Sequence, residues 1–470
     1  MLLLNQLSKL LGVQLSTCNK MKDLIQTIRN IFSITELRDR ILYTLMLLLV
    51  FRLGSFIILP GIDSSILQDS FNSSRSGGGG VLDFFNIFLG GAFARGSIFA
   101  LGIMPYISAS IVVQLLGAVV PSIQKLRQEG DSGTKKLNQI TRYLSIIIGL
   151  AQSASYVGYL KGQYPQAITD SNFFIFTTVF LMTAGIMFLV WLGERITDNG
   201  IGNGTSLIIA IGIVSGFLPA LYSEFQANKP MVFFIEVLLL AVVTMAVIAL
   251  TQATRRIPIN YARQMMGNRQ VTAKDKGMTE APRQFIPLKM NSSGVMPIIF
   301  AQTLVMVPTY LLGLFDNSYL SAVGGAFNDQ TGLAYNIFLV VLIVVFTYFY
   351  TAIAVNPTEI ADQLKRTGGF VPGIKPGKNT ADYIDSILSK ITLPGSLSLA
   401  AIAILPALAI ICGVSGNFSK FFGGTTILIM IGVVLDTLQQ IESYLLNRHY
   451  DGLMKTGRIK GRERSGVIAS

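Results

Sequence analysis

The chain is poor in the residues on which catalytic, metal-binding and disulfide-stabilised proteins depend. Its 470 residues include one histidine and two cysteines, and only 13% of them are charged. Cys18 precedes the first long apolar stretch, Cys412 ends the ninth, and His449 stands alone in a basic tail, so neither a disulfide framework nor a metal site is expected. Because nucleotide-binding, zinc-protease and hydrolase motifs are absent too, we expect no enzymatic activity and no cofactor.

Apolar residues make up 51% of the chain and fall into long stretches. Each stretch holds roughly 20 residues, which as a helix cross a hydrocarbon core about 30 Å thick. Helices are required because lipid offers no hydrogen-bond partners to backbone N–H and C=O groups. The sequence therefore predicts an all-α polytopic membrane protein. Its ten transmembrane helices are expected near residues 41–59, 98–120, 139–160, 172–193, 205–222, 232–251, 293–314, 335–355, 393–412 and 424–446.

Basic residues avoid every second gap between these stretches. Of the 37 lysines and arginines, 31 lie in or beside alternate gaps and the two ends, five lie in the other gaps, and Arg52 lies within the first stretch. By the positive-inside rule the richer side is cytoplasmic, so both termini are predicted to face the cytoplasm. Two interpretations of residues 1–20 stay open: translation starts at Met21, or these residues form a cytoplasmic extension.

Charged residues are scarce in the centres of the predicted spans, where Asp436 is the exception. Ion-coupled transporters place such residues near the bilayer midplane, so this scarcity argues against a coupled transporter. Two cytoplasmic gaps, 252–292 and 356–392, are long and basic. Their charge suits an acidic partner, either RNA phosphates or an acidic protein surface. The alternative is that these loops only enforce topology.

A short apolar segment, 81–89, lies between the glycines 77–80 and 90–91. It is too short to span a bilayer, and the sequence leaves open whether it is re-entrant and movable or a static interfacial helix. Ten spans that divide evenly give five in each half. An odd number in each half requires any structural repeat to be inverted.

Several strings along the chain resemble the SecY family, the central subunit of the protein-conducting channel. They occur in the family's order over about 21–460, and their specificity comes from the set rather than from any one string. The strings are Gly102–Ile111, Trp191–Glu194, Gly200–Gly204, Arg255–Ala262, Pro287–Asn291, Asn356–Pro357, Ala361–Asp362 and Gly369–Gly377.

This resemblance implies two inverted five-helix halves, 21–231 and 232–446, followed by a basic tail at 447–470. It also implies a pore whose waist is a ring of apolar side chains, since a hydrophobic constriction closes to ions by dewetting. The ring residues would be Ile103, Ile107, Ile209, Ile213, Ile299 and Ile429. The segment at about 82–96 would be a short re-entrant plug helix on the outer side of the ring, with Leu82, Phe84, Phe85, Ile87 and Phe88 as its apolar residues.

The resemblance further implies a lateral gate between the second span and the seventh and eighth, through which signal sequences and membrane segments reach lipid. Gln114, Gln302 and Thr303 would line this gate. The loops would contact the ribosome and the ATPase SecA through Arg255, Arg256, Lys365, Arg366 and Lys375. Lys375 stands where the family usually has arginine, so it keeps the charge but loses the two-pronged hydrogen bonding of guanidinium.

The expected function is a passive channel in the bacterial cytoplasmic membrane, driven by SecA or the ribosome and braced by the small subunits SecE and SecG. Its substrates would be unfolded secretory polypeptides and membrane-protein segments. Two other classes stay in view. A secondary transporter predicts polar groups at the midplane, and an insertase or scaffold without a continuous pore needs no plug.

Overall fold

The structure is a computed structural model in which ten helices lie over the ten predicted spans. It describes residues 34–68, 86, 89–168, 172–227, 230–261, 284–291, 294–313, 332–419, 421–422 and 424–455. In chain order the helices are α1 (Thr35–Gly54), α2 (Met104–Val119), α3 (Pro121–Gln128), α4 (Asp131–Gln163), α5 (Asn172–Asn199), α6 (Gly204–Ala227), α7 (Pro230–Gln252), α8 (Met296–Gly313), α9 (Leu333–Ala354), α10 (Pro357–Arg366), α11 (Lys378–Ile411), α12 (Gly416–Ser419) and α13 (Gly424–Lys455).

Seven helical stretches in the described residues are long and apolar enough to cross a membrane. They correspond to α4, α5, α6, α7, α9, α11 and α13. Helix α2 is shorter, at 16 residues. Helix α1 has 20 residues but carries charges at both ends, including Glu36 and Arg52. The chain is therefore a mostly helical, multi-pass membrane protein.

The second predicted span begins later than the sequence suggested. The backbone at 98–103 runs in turns, and Gly102 adopts the left-handed conformation with φ of 54°. Helix α2 starts only at Met104, with Pro105 in its first turn. Proline fits there because the first N–H groups of a helix have no partner inside it. Pro105 thus marks the start of the helix rather than a break in a longer one.

The prediction of an all-α protein was wrong for the two long loops, which meet in a small antiparallel sheet. Its strands are β1 (Thr254–Tyr261), β2 (Gln284–Lys289) and β3 (Gly369–Phe370), in the order β2-β1-β3. Ile257 and Ile259 are buried whereas their neighbours along β1 are exposed. This period of two is the pattern of a strand with one face covered, and the sequence interpretation overlooked it.

The cover for that face is helical. Helix α11 begins at Lys378, well before its predicted span, so the end of the predicted 356–392 loop is helix. Ile384 and Leu388 of this extension pack with Ile257 and Leu288 of the sheet. Since β1 pairs with both β2 and β3, the two loops form one unit seated on α11.

On the opposite side of the molecule, the chain after α1 is tied to the segment before α2. Isolated bridges join Ile58 to Ser97 and Ile62 to Ile168. The Asp63 carboxylate accepts hydrogen bonds from the side chain and the backbone of Ser65, and these bonds lower the pKa of Asp63. The result is an ordered layer that holds the segment leading into α2.

Candidate functional site

Ile103 and Ile107 lie one above the other at the start of α2. The Ile107 N–H donates to the Ile103 carbonyl at 3.1 Å, and the two side chains are 7% and 2% exposed respectively. Both belong to a cluster that includes Leu192 and Ile208. The first two predicted ring residues therefore share one face and one apolar environment.

The other four predicted ring residues lie in an adjoining cluster. Ile213 and Ile429 are buried members of this cluster, at 1% and 5% exposure, and Ile299 packs against the cluster. Ile209 packs against both clusters and joins them. The six isoleucines thus come from α6, α8, α13 and the start of α2, in both predicted halves of the chain, and lie in or against two adjoining clusters.

The space beside the cluster that holds Ile103 and Ile107 is narrow and apolar. A cavity of about 10 Å³ lies between Leu89, Phe99, Ile103 and Ile209. A cavity needs about 10–15 Å³ and two to four polar partners to hold a water molecule. This one has barely the room and an almost wholly apolar lining, so it favours a dry state.

The five predicted plug residues Leu82, Phe84, Phe85, Ile87 and Phe88 lie outside the described residues. The described part of the segment includes Asn86, which is buried. The Asn86 carbonyl accepts from the Gly91 N–H at 2.8 Å, and its side-chain oxygen accepts from the Ala94 N–H at 3.0 Å. Asn86 is therefore tied to Gly91 and Ala94, which lie on the way to α2.

Leu89, which the sequence interpretation did not single out, reaches the ring. It is buried at 8% exposure, and a Cβ atom placed on Gly102 would lie only 2.2 Å from its Cδ2 atom. Gly102 directly precedes Ile103. Leu89 therefore fills the space in front of Gly102, next to the ring residue Ile103. A side chain at position 102 would meet it there.

Arg52 was also missed as a functional residue. Its Nη1 donates to the Ser215 hydroxyl at 3.0 Å and to the Gly90 carbonyl at 3.4 Å. These contacts join α1, the segment before α2, and α6. A lone arginine in a predicted span was the available signal, because charge inside a span is costly and usually has a specific partner.

The predicted gate residues have separate partners. Gln114 donates to the Ser110 hydroxyl of its own helix at 3.3 Å, and Gln302 accepts from Thr425 of α13 at 3.2 Å. Thr303 lies in α8, and its side chain is outside the described residues. Two other residues of α8, Met296 and Phe300, pack against the cluster that holds Ile103 and Ile107.

The predicted contact residues in the loops all lie on the unit built around the sheet. Arg255 and Arg256 are exposed on β1, and the Arg256 guanidinium lies 4.7 Å from the centre of the Phe285 ring. Lys365 and Arg366 are exposed in the last turn of α10, where the helix dipole favours cations. Lys375 is exposed, and its carbonyl accepts from the Thr380 hydroxyl at 3.0 Å.

The sequence comparisons agree with this architecture. A family model described as SecY matches residues 97–438. The protein translocase subunit SecY of Aquifex aeolicus is 38% identical over 439 residues, which cover 91% of this chain and 99% of that protein. The protein translocase subunit SecY of Thermus thermophilus is 41% identical over 446 residues, covering 92% and 98%.

Solved structures match the fold. A protein conducting channel aligns with a TM-score of 0.58 and 16% identity, over 86% of this chain and 91% of that one. A second channel structure, from a study of how the plug domain of SecY stabilises the closed state, aligns with a TM-score of 0.55 at the same identity and coverage. Sec61 in a canine ribosome-channel complex gives 0.54, again at 16% identity and over 86% and 91% of the two chains.

Proposed function

This chain belongs to the SecY family, the protein-conducting channel subunit of the Sec translocase, and we propose how its residues close and open the pore for a polypeptide. The family is a non-enzymatic channel, so the work of moving a polypeptide comes from outside. The transporter interpretation is thereby excluded.

We assign the constriction to the six isoleucines. The observation that carries this proposal is their convergence from four helices in two adjoining clusters linked by Ile209. Branched apolar side chains expel water from a narrow passage and yield around a passing chain without specific contacts. Such a ring seals against ions while tolerating any polypeptide sequence.

The segment 82–96 is the plug in this proposal. Support comes from Leu89, which lies against Gly102 beside Ile103, and from the hydrogen bond that ties the Asn86 side chain to Ala94. The plug of the related SecY structure is described as stabilising the closed state and maintaining a membrane seal. The same role here would place a second barrier next to the ring.

We propose ten transmembrane helices in two inverted halves, 21–231 and 232–446, with both termini in the cytoplasm of a bacterium. The lateral gate lies between α2 on one side and α8 and α9 on the other. Phe300 of α8 packs there against the cluster that holds Ile103 and Ile107. Opening there would release apolar segments into lipid. Gln302, bonded to Thr425 of α13, favours the closed gate because lipid offers it no partner.

Cytoplasmic partners bind the unit formed by the sheet and α10. Its exposed cations Arg255, Arg256, Lys365, Arg366 and Lys375 suit ribosomal RNA phosphates and an acidic surface of SecA. Homologous channels are known in complexes with ribosomes, as for canine Sec61. SecE and SecG would brace the helices from the lipid side.

Ion conductance tests the constriction. Ile103→Ser and Ile213→Ser channels in planar bilayers should conduct ions at rest, because each hydroxyl offers water a hydrogen-bond partner inside the ring. Ile147→Ser is the matched control, since Ile147 is 65% exposed on α4. The proposal requires leakage in the ring variants only. Tight bilayers with both ring variants would overturn it.

A further inference from the structure

Arg52 is placed where three moving parts of the proposed channel meet. It lies in the last turn of α1, and one nitrogen, Nη1, contacts both the Gly90 carbonyl and the Ser215 hydroxyl. The Ser215 hydroxyl in turn donates to the Gly212 carbonyl at 2.7 Å. The chain of hydrogen bonds therefore runs from α1 into α6, next to ring residue Ile213.

Gly90 is the residue that lets this contact form. Its φ is 62°, and a Cβ atom on it would lie 2.5 Å from the Ser215 Oγ, 3.0 Å from the Gly212 carbonyl oxygen and 3.2 Å from the Arg52 Nη1. A Cβ atom essentially never lies 2.5 Å from another atom, and the other two separations are tighter than most. A side chain at this position would therefore push the backbone at 89–91, which we call the plug root, away from its present contacts with α6.

The plug root is coupled to the ring through Leu89. This side chain lines the same cavity as Ile103 and Ile209, and it fills the space in front of Gly102. A displacement of Gly90 would carry Leu89 with it, because the two residues are adjacent. Whatever fixes Gly90 therefore fixes the apolar contact at the ring.

In the part of the chain that the structure describes, Arg52 makes its two hydrogen bonds without a counter-ion. Both acceptors are neutral, and within the described residues neither Arg52 nor Arg95 lies within ion-pair distance of a carboxylate. The two guanidiniums share the Phe56 ring, at 4.9 and 4.5 Å from its centre. Their mutual repulsion opposes a tighter arrangement, which suits a contact that must open repeatedly.

We propose that Arg52 is the latch that holds the plug root against α6 in the resting channel, and that its release accompanies plug displacement. This assignment rests on the proposed constriction and plug. It makes Arg52 a positioning residue: it acts on the seal through Gly90 and Ser215 rather than by lining the path. A purely structural role for Arg52 would predict loss of folded protein instead of a change in gating.

Resting conductance of the reconstituted full-length channel with its natural partner subunits tests the latch. Arg52→Gln should raise the resting open probability about tenfold or more, as expected when hydrogen bonds from a charged group are lost. Arg52→Lys, which keeps the charge and one donor, should leak less. Conductance with a stalled polypeptide in the pore should stay unchanged, since the latch is already open there.

Two further variants keep the test decisive. Arg38→Gln removes a charge from the same helix α1 without touching Gly90 or Ser215, and it should leave the resting conductance at the wild-type level. Gly90→Ala displaces the plug root with Arg52 intact, and it should leak like Arg52→Gln. If Arg52→Gln folds poorly, Gly90→Ala carries the test.

The outcomes separate the latch from the pore. Leaky Ile103→Ser channels beside tight Arg52→Gln and Gly90→Ala channels would overturn the latch and leave the constriction standing. If the Ile103→Ser, Arg52→Gln and Gly90→Ala channels were all tight to ions, both the latch and the constriction would be overturned. Equal leakage from Arg38→Gln and Arg52→Gln would assign the effect to the charge of α1 alone and would also overturn the latch.

Discussion

The carboxylate of Glu224, near the end of α6, accepts hydrogen bonds from both the backbone N–H and the hydroxyl of Ser415. Glu224 is 1% exposed, and the N–H bond measures 3.2 Å. Ser415 lies between α11 and α12, so this contact links the two predicted halves of the chain. Buried charge is retained in proteins only where such donors compensate for lost water.

Replacement of this carboxylate should loosen the junction. Glu224→Gln replaces one of the two accepting oxygens by an NH2 group, which leaves one Ser415 donor facing another donor and should cost about 1–3 kcal/mol of folding free energy. The measurement is the thermal unfolding midpoint of the purified protein in detergent. Glu442→Gln, on the exposed face of α13, should leave the midpoint unchanged. Equal midpoints for both variants would show that the contact contributes nothing.

Gly102 should tolerate no side chain. Gly102→Ala forces a left-handed residue to carry a Cβ, at a cost of about 1–2 kcal/mol, and drives that Cβ into Leu89. We expect a resting ion leak together with a lower unfolding midpoint. Gly117→Ala is the control, because a Cβ in that helical position meets only Ile123, at 3.6 Å. A tight, stable Gly102→Ala channel would contradict the packing of Leu89 on the ring.

The sheet should matter for the binding of cytoplasmic partners as much as the charges on it. Ile257→Ala empties a buried site, 2% exposed, between the sheet and α11, and core truncations of this kind cost about 2–5 kcal/mol. Both loops should then become sensitive to protease, and ribosome and SecA affinity should fall although every cation is kept. Limited proteolysis and co-sedimentation measure these effects.

The control for this variant is Tyr383→Ala, which truncates a side chain on α11 that is 40% exposed. It should preserve both protease resistance and partner binding. Partner affinity that falls in neither variant, while Arg255→Glu abolishes it, would show that the charges act independently of the sheet.

The helices could be predicted from sequence because lipid leaves the chain no other way to satisfy its backbone. Their ends could not, since caps and extensions depend on local contacts. The first turn of α2 was fixed by Pro105 and by the positive φ of Gly102. The early start of α11 was fixed by Ile384 and Leu388, which cover a sheet that the alternation of Ile257 and Ile259 already indicated.

The functional site, too, could be predicted only in part from the sequence. The six isoleucines could be proposed only through family resemblance, because isoleucine is common on every membrane helix and most of it serves packing. Arg52 and Glu224 gave a weak signal as charges within or near spans, but their partners Gly90, Ser215 and Ser415 are far away in sequence. Nothing in a single sequence identifies which backbone carbonyl or hydroxyl a charged side chain will reach.

Cross-linking of a stalled export substrate tests the central claim most directly. A photoreactive residue would replace each ring isoleucine in turn: Ile103, Ile107, Ile209, Ile213, Ile299 and Ile429. Another would replace Ile235, a control that is 55% exposed on α7. We expect the passing chain to be captured from the ring positions and not from Ile235. Capture elsewhere in the channel, with none from the six ring positions, would contradict the account.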